Sequence, residues 1–138
     1  MALLQKFWCF PEDLAEKRHN LGADDLRVAI SNTAPNAATG TNLASIAEIA
    51  AGNGYPGGGL PALIMSSAQA AGTYKLVLGD VVITAAGGPL GPFRYFILRN
   101  ATADRVIGWA DLGVSVSIGD GETFTWDADP NTGVLQIA

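Results

Sequence analysis

The sequence predicts a mainly β protein, an antiparallel β-sandwich or barrel-like domain with one or two short helices in its N-terminal half. Three observations carry that expectation. Short runs of alternating apolar and polar residues recur through the second half of the chain. Turns rich in Gly, Asp and Pro separate them. The helical signals all fall before Gly52.

In chain order, residues 1–10 are unusually apolar for a terminus, with Leu3, Leu4, Phe7, Trp8 and Phe10. Termini fray unless tied down, so this segment is expected either to add a strand or to dock on another subunit. It is read as an N-terminal arm, and 11–138 as a single β-rich domain. Pro11-Glu12-Asp13 reads as a helix start, with proline at the first position and acids complementing the dipole. Two to three turns are expected, closing at Asn20-Leu21-Gly22. Asp25 to Ser31 alternates as a half-buried strand, with Leu26, Val28 and Ile30 inward and Arg27, Ala29 and Ser31 outward. Residues 32–42 read as a loop, and Thr41-Asn42 as the cap of a brief helix through Leu43, Ile46, Glu48 and Ile49.

Strand signals then dominate. Tyr74 to Thr84 is a long apolar strand with a break at Gly79-Asp80, and Gly87-Gly88-Pro89 is a turn. Phe93 to Arg99 places Phe93, Tyr95 and Ile97 on one face and Phe96 and Leu98 on the other. A strand apolar on both faces is central, or covered on its second side. Arg105 to Ala110 is a further strand, and Val114, Val116 and Ile118 continue the alternation. Gly119-Asp120-Gly121 is a hairpin signal. Phe124 and Trp126 share a face, and Val134 to Ile137 closes the chain.

Composition narrows the function classes. The 138 residues suit one domain, 49% are hydrophobic and only 15% charged. So few charges solvate a large free surface poorly, and a domain partly covered by a partner is expected. The net charge of −5, with Lys and Arg scattered, argues against nucleic-acid binding. A single cysteine precludes an internal disulfide and suits a reducing cytosol. No secretion signal and no run of about 20 apolar residues is visible, so no membrane role is expected.

Chemistry-bearing residues are sparse. His19 reads as a cation at the end of the first helix; a triad could be drawn from His19, Asp24 or Asp25 and a serine, but no spacing supports it. Cys9 and His19 are too few for a zinc site, which wants four ligands. Residues 52–57 match G-x-G-x-x-G, but no strand precedes them and Pro56 interrupts. A contact loop over Gly54, Tyr55, Pro56, Gly57, Gly58 and Gly59 explains them as well. Asp127, Asp129 and Asn131 have calcium-loop spacing, but the glycine falls late and the closing Glu is missing, so a turn is the simpler reading. Asp104, Asp111 and Glu122 form no recognisable pair for glycosidase chemistry. Phe93, Tyr95, Phe96, Trp109, Phe124 and Trp126 sit at strand spacing and read as core. No catalytic residue, metal or cofactor is expected, and the chain is read as not an enzyme.

Several segments together resemble a family of small bacteriophage virion structural proteins: HNLGADDLRVAISNTAP (19–35), IAEIAAGNGYPGGG (46–59), GPFRYFILRNATA (91–103), IGWADLGVSVSIGDGETFTW (107–126) and GVLQIA (133–138). The sparsely charged Leu60 to Ala71 segment lies outside them. None is a catalytic motif. The resemblance implies a capsid decoration, or cement, protein made in the host cytoplasm and carried on the phage head. Its implied partner is the major capsid protein, and its implied form a homo-oligomer, with a trimer as the guess. Leu3, Leu4, Phe7, Trp8 and Phe10 and the loop Gly54–Gly59 are the expected contacts. A tail, baseplate or fibre component is the alternative, and a carbohydrate-binding module a more remote one.

Overall fold

The computed structural model describes residues 4–138. The protein is mainly β, 46% strand and 7% helical, with antiparallel sheets and one short helix in its N-terminal part. In chain order the elements are β1 (Gln5–Lys6), α1 (Cys9–Ala15), β2 (Leu26–Ser31), a single 3-10 turn (Leu43–Ser45), β3 (Leu60–Pro61), β4 (Ile64–Ala70), β5 (Thr73–Leu78), β6 (Val81–Thr84), β7 (Leu90–Asn100), β8 (Arg105–Ile118), β9 (Thr123–Trp126) and β10 (Leu135–Ile137). One sheet has the order β1-β8-β7-β2-β3; β10-β5-β4 and β6-β9 form two smaller ones.

The main core lies between the large sheet and the two small ones. Val28, Ile30, Phe96, Leu98 and Ile107 from the large sheet meet Leu76, Leu78, Ile83, Trp126 and Leu135. Phe93, Phe96, Phe124 and Trp126 stack edge-on or tilted within it, at centroid distances of 5.5 to 5.9 Å. Such contacts contribute beyond their buried area. The aromatics expected in the core are therefore there.

The opposite face of the large sheet carries a second, smaller core: Phe7, Ala29, Tyr95, Ile97, Val106 and Trp109, with Cys9, Ala37, Leu43 and Ile46 against it. This covering corrects the reading of β2 as half-buried, since Ala29 and Ser31 are as inaccessible as Val28 and Ile30. It also shows why β7 is apolar on both sides. Phe93 does not share a face with Tyr95 and Ile97. A register irregularity between Phe93 and Tyr95 turns it into the main core beside Phe96.

Other boundaries moved for local reasons. Helix α1 begins at Cys9, so Pro11 sits in its first turn and not at its first position, and it ends at Ala15. Lys17 then takes φ +65°, the left-handed geometry that stops a helix. The second expected helix is only the 3-10 turn at Leu43–Ser45, after which Ile46 is extended and Ile49 donates its N–H to Ile30. The Ser45 hydroxyl accepts from the N–H groups of Thr41 and Asn42 and donates to the Asn42 carbonyl, which ties that turn locally. Gly119–Gly121 is not a hairpin. It passes the chain from β8, paired with β7, to β9, paired with β6.

Candidate interaction surface

The N-terminal segment is fixed to its own domain. Leu4 donates its N–H to Val134 at 3.0 Å, β1 pairs with β8, Phe7 donates to Ile107 at 3.1 Å and Trp8 to Ala37 at 3.0 Å. Phe7 packs on Trp109 with centroids 4.8 Å apart. The approach requires Gly40 and Gly108: a Cβ at either would lie 2.4 Å from the Phe7 ring or 2.6 Å from the Gln5 carbonyl. The segment adds a strand, the first of its two expected fates. Of the contacts expected here, Leu4, Phe7 and Phe10 are buried in the chain's own cores and are not presented to a partner, which corrects that part of the arm reading. Trp8 is 72% exposed and available to a partner. Leu3 lies outside the described residues.

The Gly54–Gly59 loop is also stapled inward. Tyr55 is buried; its hydroxyl donates to the Glu48 carboxylate and accepts the Ile30 N–H at 3.2 Å. Burial, reinforced by Glu48, pushes the Tyr55 hydroxyl well above its ordinary pKa. Glu48 also accepts the Gly58 N–H at 2.7 Å, and Arg99 donates to the Gly58 carbonyl at 2.8 Å. A Cβ on Gly54 would stand 2.0 Å from the Thr84 carbonyl oxygen, and one on Gly59 3.0 Å from Val28. These glycines allow backbone to pass backbone within the fold. Gly54 and Pro56 stay exposed and Gly57 and Gly58 half-exposed, so what the loop presents is backbone and one proline ring, with its one large side chain, Tyr55, turned inward.

His19 does not cap the helix as a cation. It lies past the helix end, buried, and Asn100 donates to its Nδ1 at 3.1 Å. Asn100 donates as well to Asp24 at 2.7 Å. An accepting Nδ1 places the ring proton on Nε2. Desolvation lowers the His19 pKa against the pull of Asp13 and Asp24, so the ring is held neutral. Asp24 thus orients Asn100 and not the imidazole, and Nε2 has no hydrogen-bond partner among the described groups, so no triad forms. An open cleft of about 650 Å³ lies beside it, between residues 14–22 and the β4–β5 hairpin, lined by Leu21, Ser67, Tyr74 and Ile137 among others.

The calcium-spaced residues form a turn. Asp129 accepts the Asn131 N–H at 2.7 Å and the Thr132 N–H at 3.4 Å, contacts that lower its pKa. Among the described residues no three His, Cys, Asp or Glu side chains converge on one point. No helix there is long and apolar enough to cross a membrane.

What sequence reasoning missed is β4. It forms one edge of its sheet, paired only to β5, and every residue from Met65 to Ala70 is exposed. Leu63 and Met65, 68% and 61% exposed, approach Gly79 from the same side and make an apolar patch at its start. From Ile49 through Tyr74 no side chain is charged. That run was the available signal. Leu60 to Ala71 lacks a clean two-residue alternation because the register shifts between Ile64 and Ser66 and neither face of the strand is fully buried.

Set against known proteins, the chain matches no family model, no curated protein and no solved structure.

Proposed function

We propose that this chain is a non-enzymatic structural protein of a phage particle, a decoration or cement protein that binds the assembled head and stabilises it. The observation that carries the reading is the uncovered, uncharged β4 edge beside Leu63 and Met65. Natural edge strands are shielded by charge, proline or a covering segment, because bare ones recruit other strands. A domain that leaves such an edge bare, with Trp8 and Val114 exposed besides, is built to be covered by other protein. The resemblance of residues 19–35, 46–59, 91–103, 107–126 and 133–138 to phage virion proteins supplies the setting. A protein that binds only the assembled shell stabilises it by mass action and needs no chemistry.

The test is a reconstruction of the particle whose genome encodes the chain. Hundreds of copies over the head are expected. A few copies in the tail would select the tail or baseplate alternative, and absence from the particle would overturn both.

A further inference from the structure

The β4 edge offers an open row of backbone groups whose register can be read from its hairpin. The β4–β5 hairpin closes through Ala71 and Gly72, with φ of +52° and +83°, and Ala70 opposite Thr73. Two positive φ values in a two-residue loop are the primed turn that suits the twist of a hairpin. In such a hairpin the residues flanking the loop exchange hydrogen bonds, and the alternation then runs back along the strand. Ala70 and Ala68 therefore bond to β5, while Ser67 and Gln69 turn their backbone N–H and C=O groups outward. These four groups are the open row. No backbone bond from them to another element occurs among the described residues.

We infer that a second copy of this chain pairs antiparallel along β4, about a two-fold axis at Ala68, to make one six-stranded sheet from two three-stranded ones. The inference rests on the same exposed edge as the functional reading above and names what covers it. Three features favour a copy over an unrelated strand. First, the register is self-complementary: Ser67 faces Gln69 of the copy and Gln69 faces its Ser67, so each pair exchanges two main-chain bonds. Second, Ala68 then faces Ala68 of the copy at a non-hydrogen-bonded position, where the Cα atoms approach most closely and two alanines bring neither charge nor bulk to the axis. Ser66 opposite Ala70 continues the pattern. Third, a chain of net charge −5 repels its copy over much of its surface, and this edge lies in the run from Ile49 to Tyr74 that holds no charge. The pairing is two-fold and closes on itself, so it yields a dimer; the trimer expected from the resemblance would need a different surface. The dimer also carries two Leu63–Met65 patches, a larger apolar surface for a shell than one chain offers.

Sedimentation velocity of the purified full chain at about 1 to 100 μM, in the range where modest interfaces associate, decides it. The expected species is twice the 14.2 kDa of one chain. Ala68→Lys and Ala68→Glu each place like charges across the axis and are expected to weaken dimerisation by roughly tenfold or more. Residue 68 is exposed, so both variants are expected to fold; melts taken at concentrations where wild type is monomeric check this, with Ala68→Lys the less stable of the two because Lys75 stands opposite residue 68 on β5. Mixing the two is expected to restore a dimer, since Lys then faces Glu. A monomer throughout that concentration range overturns the inference. So does a dimer that neither substitution weakens, or weakened variants that the mixture does not rescue. Any of these leaves particle location to be decided separately, so failure here is distinct from failure of the decoration reading.

Discussion

Asp13 holds Arg105 through two parallel hydrogen bonds, 2.7 Å to Nε and 3.1 Å to a terminal nitrogen, with the Asp13 side chain only 4% exposed. The pair joins α1 to the start of β8 and raises the Arg105 pKa, chiefly through the hydrogen bonds to Asp13. It is a bidentate, charge-assisted tie between the helix and the large sheet. Removing Asp13 leaves the partly buried Arg105 without its counter-charge, whereas Asp13 has a second cation, Arg18, at 3.6 Å. Asp13→Ala is expected to cost about 3 kcal/mol, a drop of roughly 10 °C in Tm for a domain of this size. Thermal melts of Asp13→Ala and of the double variant Asp13→Leu, Arg105→Met check it. The double variant should recover most of the loss, since an apolar pair of similar volume replaces the charged one.

His19 gives the protein a pH response above the carboxylate range. Its pKa is lowered in the folded state by burial, from an ordinary value near 6.5. The unfolded chain therefore takes up a proton first as pH falls, and stability is lost going down from about pH 6.5. It is fully present above that value. Since the chain has one histidine, His19→Gln should flatten the dependence of the urea midpoint between pH 5 and 7. A slope unchanged by the substitution would remove the assignment.

Much of this architecture was legible in the residues and part was not, for identifiable reasons. The β7 pattern, apolar on both faces, correctly signalled a strand covered twice, because period-two alternation reports burial directly. The break at Gly79-Asp80 and the inward Phe124 and Trp126 were legible on the same ground. The role of Leu4, Phe7 and Phe10 was not. Apolar residues at a terminus look alike whether they meet a partner or their own domain, and only the fit against Gly40 and Gly108 decides. Tyr55 misled similarly: inside a glycine-rich loop it looked like a presented side chain, yet its hydroxyl satisfies the buried Ile30 N–H. β4 was illegible because an edge strand exposed on both faces carries no alternation to read.

Tyr55→Phe tests the inward staple of the glycine loop. The variant leaves the Ile30 N–H buried without an acceptor, and Ile30 is wholly inaccessible. A loss of about 2 kcal/mol is expected. The pH response has the opposite sign to that of His19. The Tyr55 pKa is raised above 10 in the fold, so its contribution is intact below about pH 10 and falls as pH rises further, by about 1.4 kcal/mol per unit. Denaturant midpoints taken from pH 9 to 11 should fall less steeply for Tyr55→Phe than for wild type.

Two glycines with similar backbone angles separate strain from collision. Gly54 has φ +98° and its Cβ would meet the Thr84 carbonyl; Gly113 has φ +86° and open space around it. Gly113→Ala should cost only the conformational term, about 1 kcal/mol, whereas Gly54→Ala adds a backbone clash and should cost several times that. Equal losses in urea melts would show that the loop yields, and that its path over Thr84 is not fixed.

Adjacent residues Phe7 and Trp8 have opposite environments. Phe7 is 1% exposed and stacked on Trp109; Trp8 points its ring outward. Phe7→Ala is expected to lose about 3 to 5 kcal/mol, as for other buried aromatics. Trp8→Ala should stay within about 0.5 kcal/mol of wild type, since exposed substitutions rarely do more. Deleting residues 1–10 as a binding test would therefore confound the two, because it removes Leu4, Phe7 and Phe10 from the core. Trp8→Ala is the cleaner probe. If Trp8 anchors the chain to a phage head, particles assembled with the variant should carry fewer copies than wild type while the free protein melts unchanged. Full occupancy by Trp8→Ala would take Trp8 out of the contact and leave Leu63, Met65 and Val114 as the surface to substitute next.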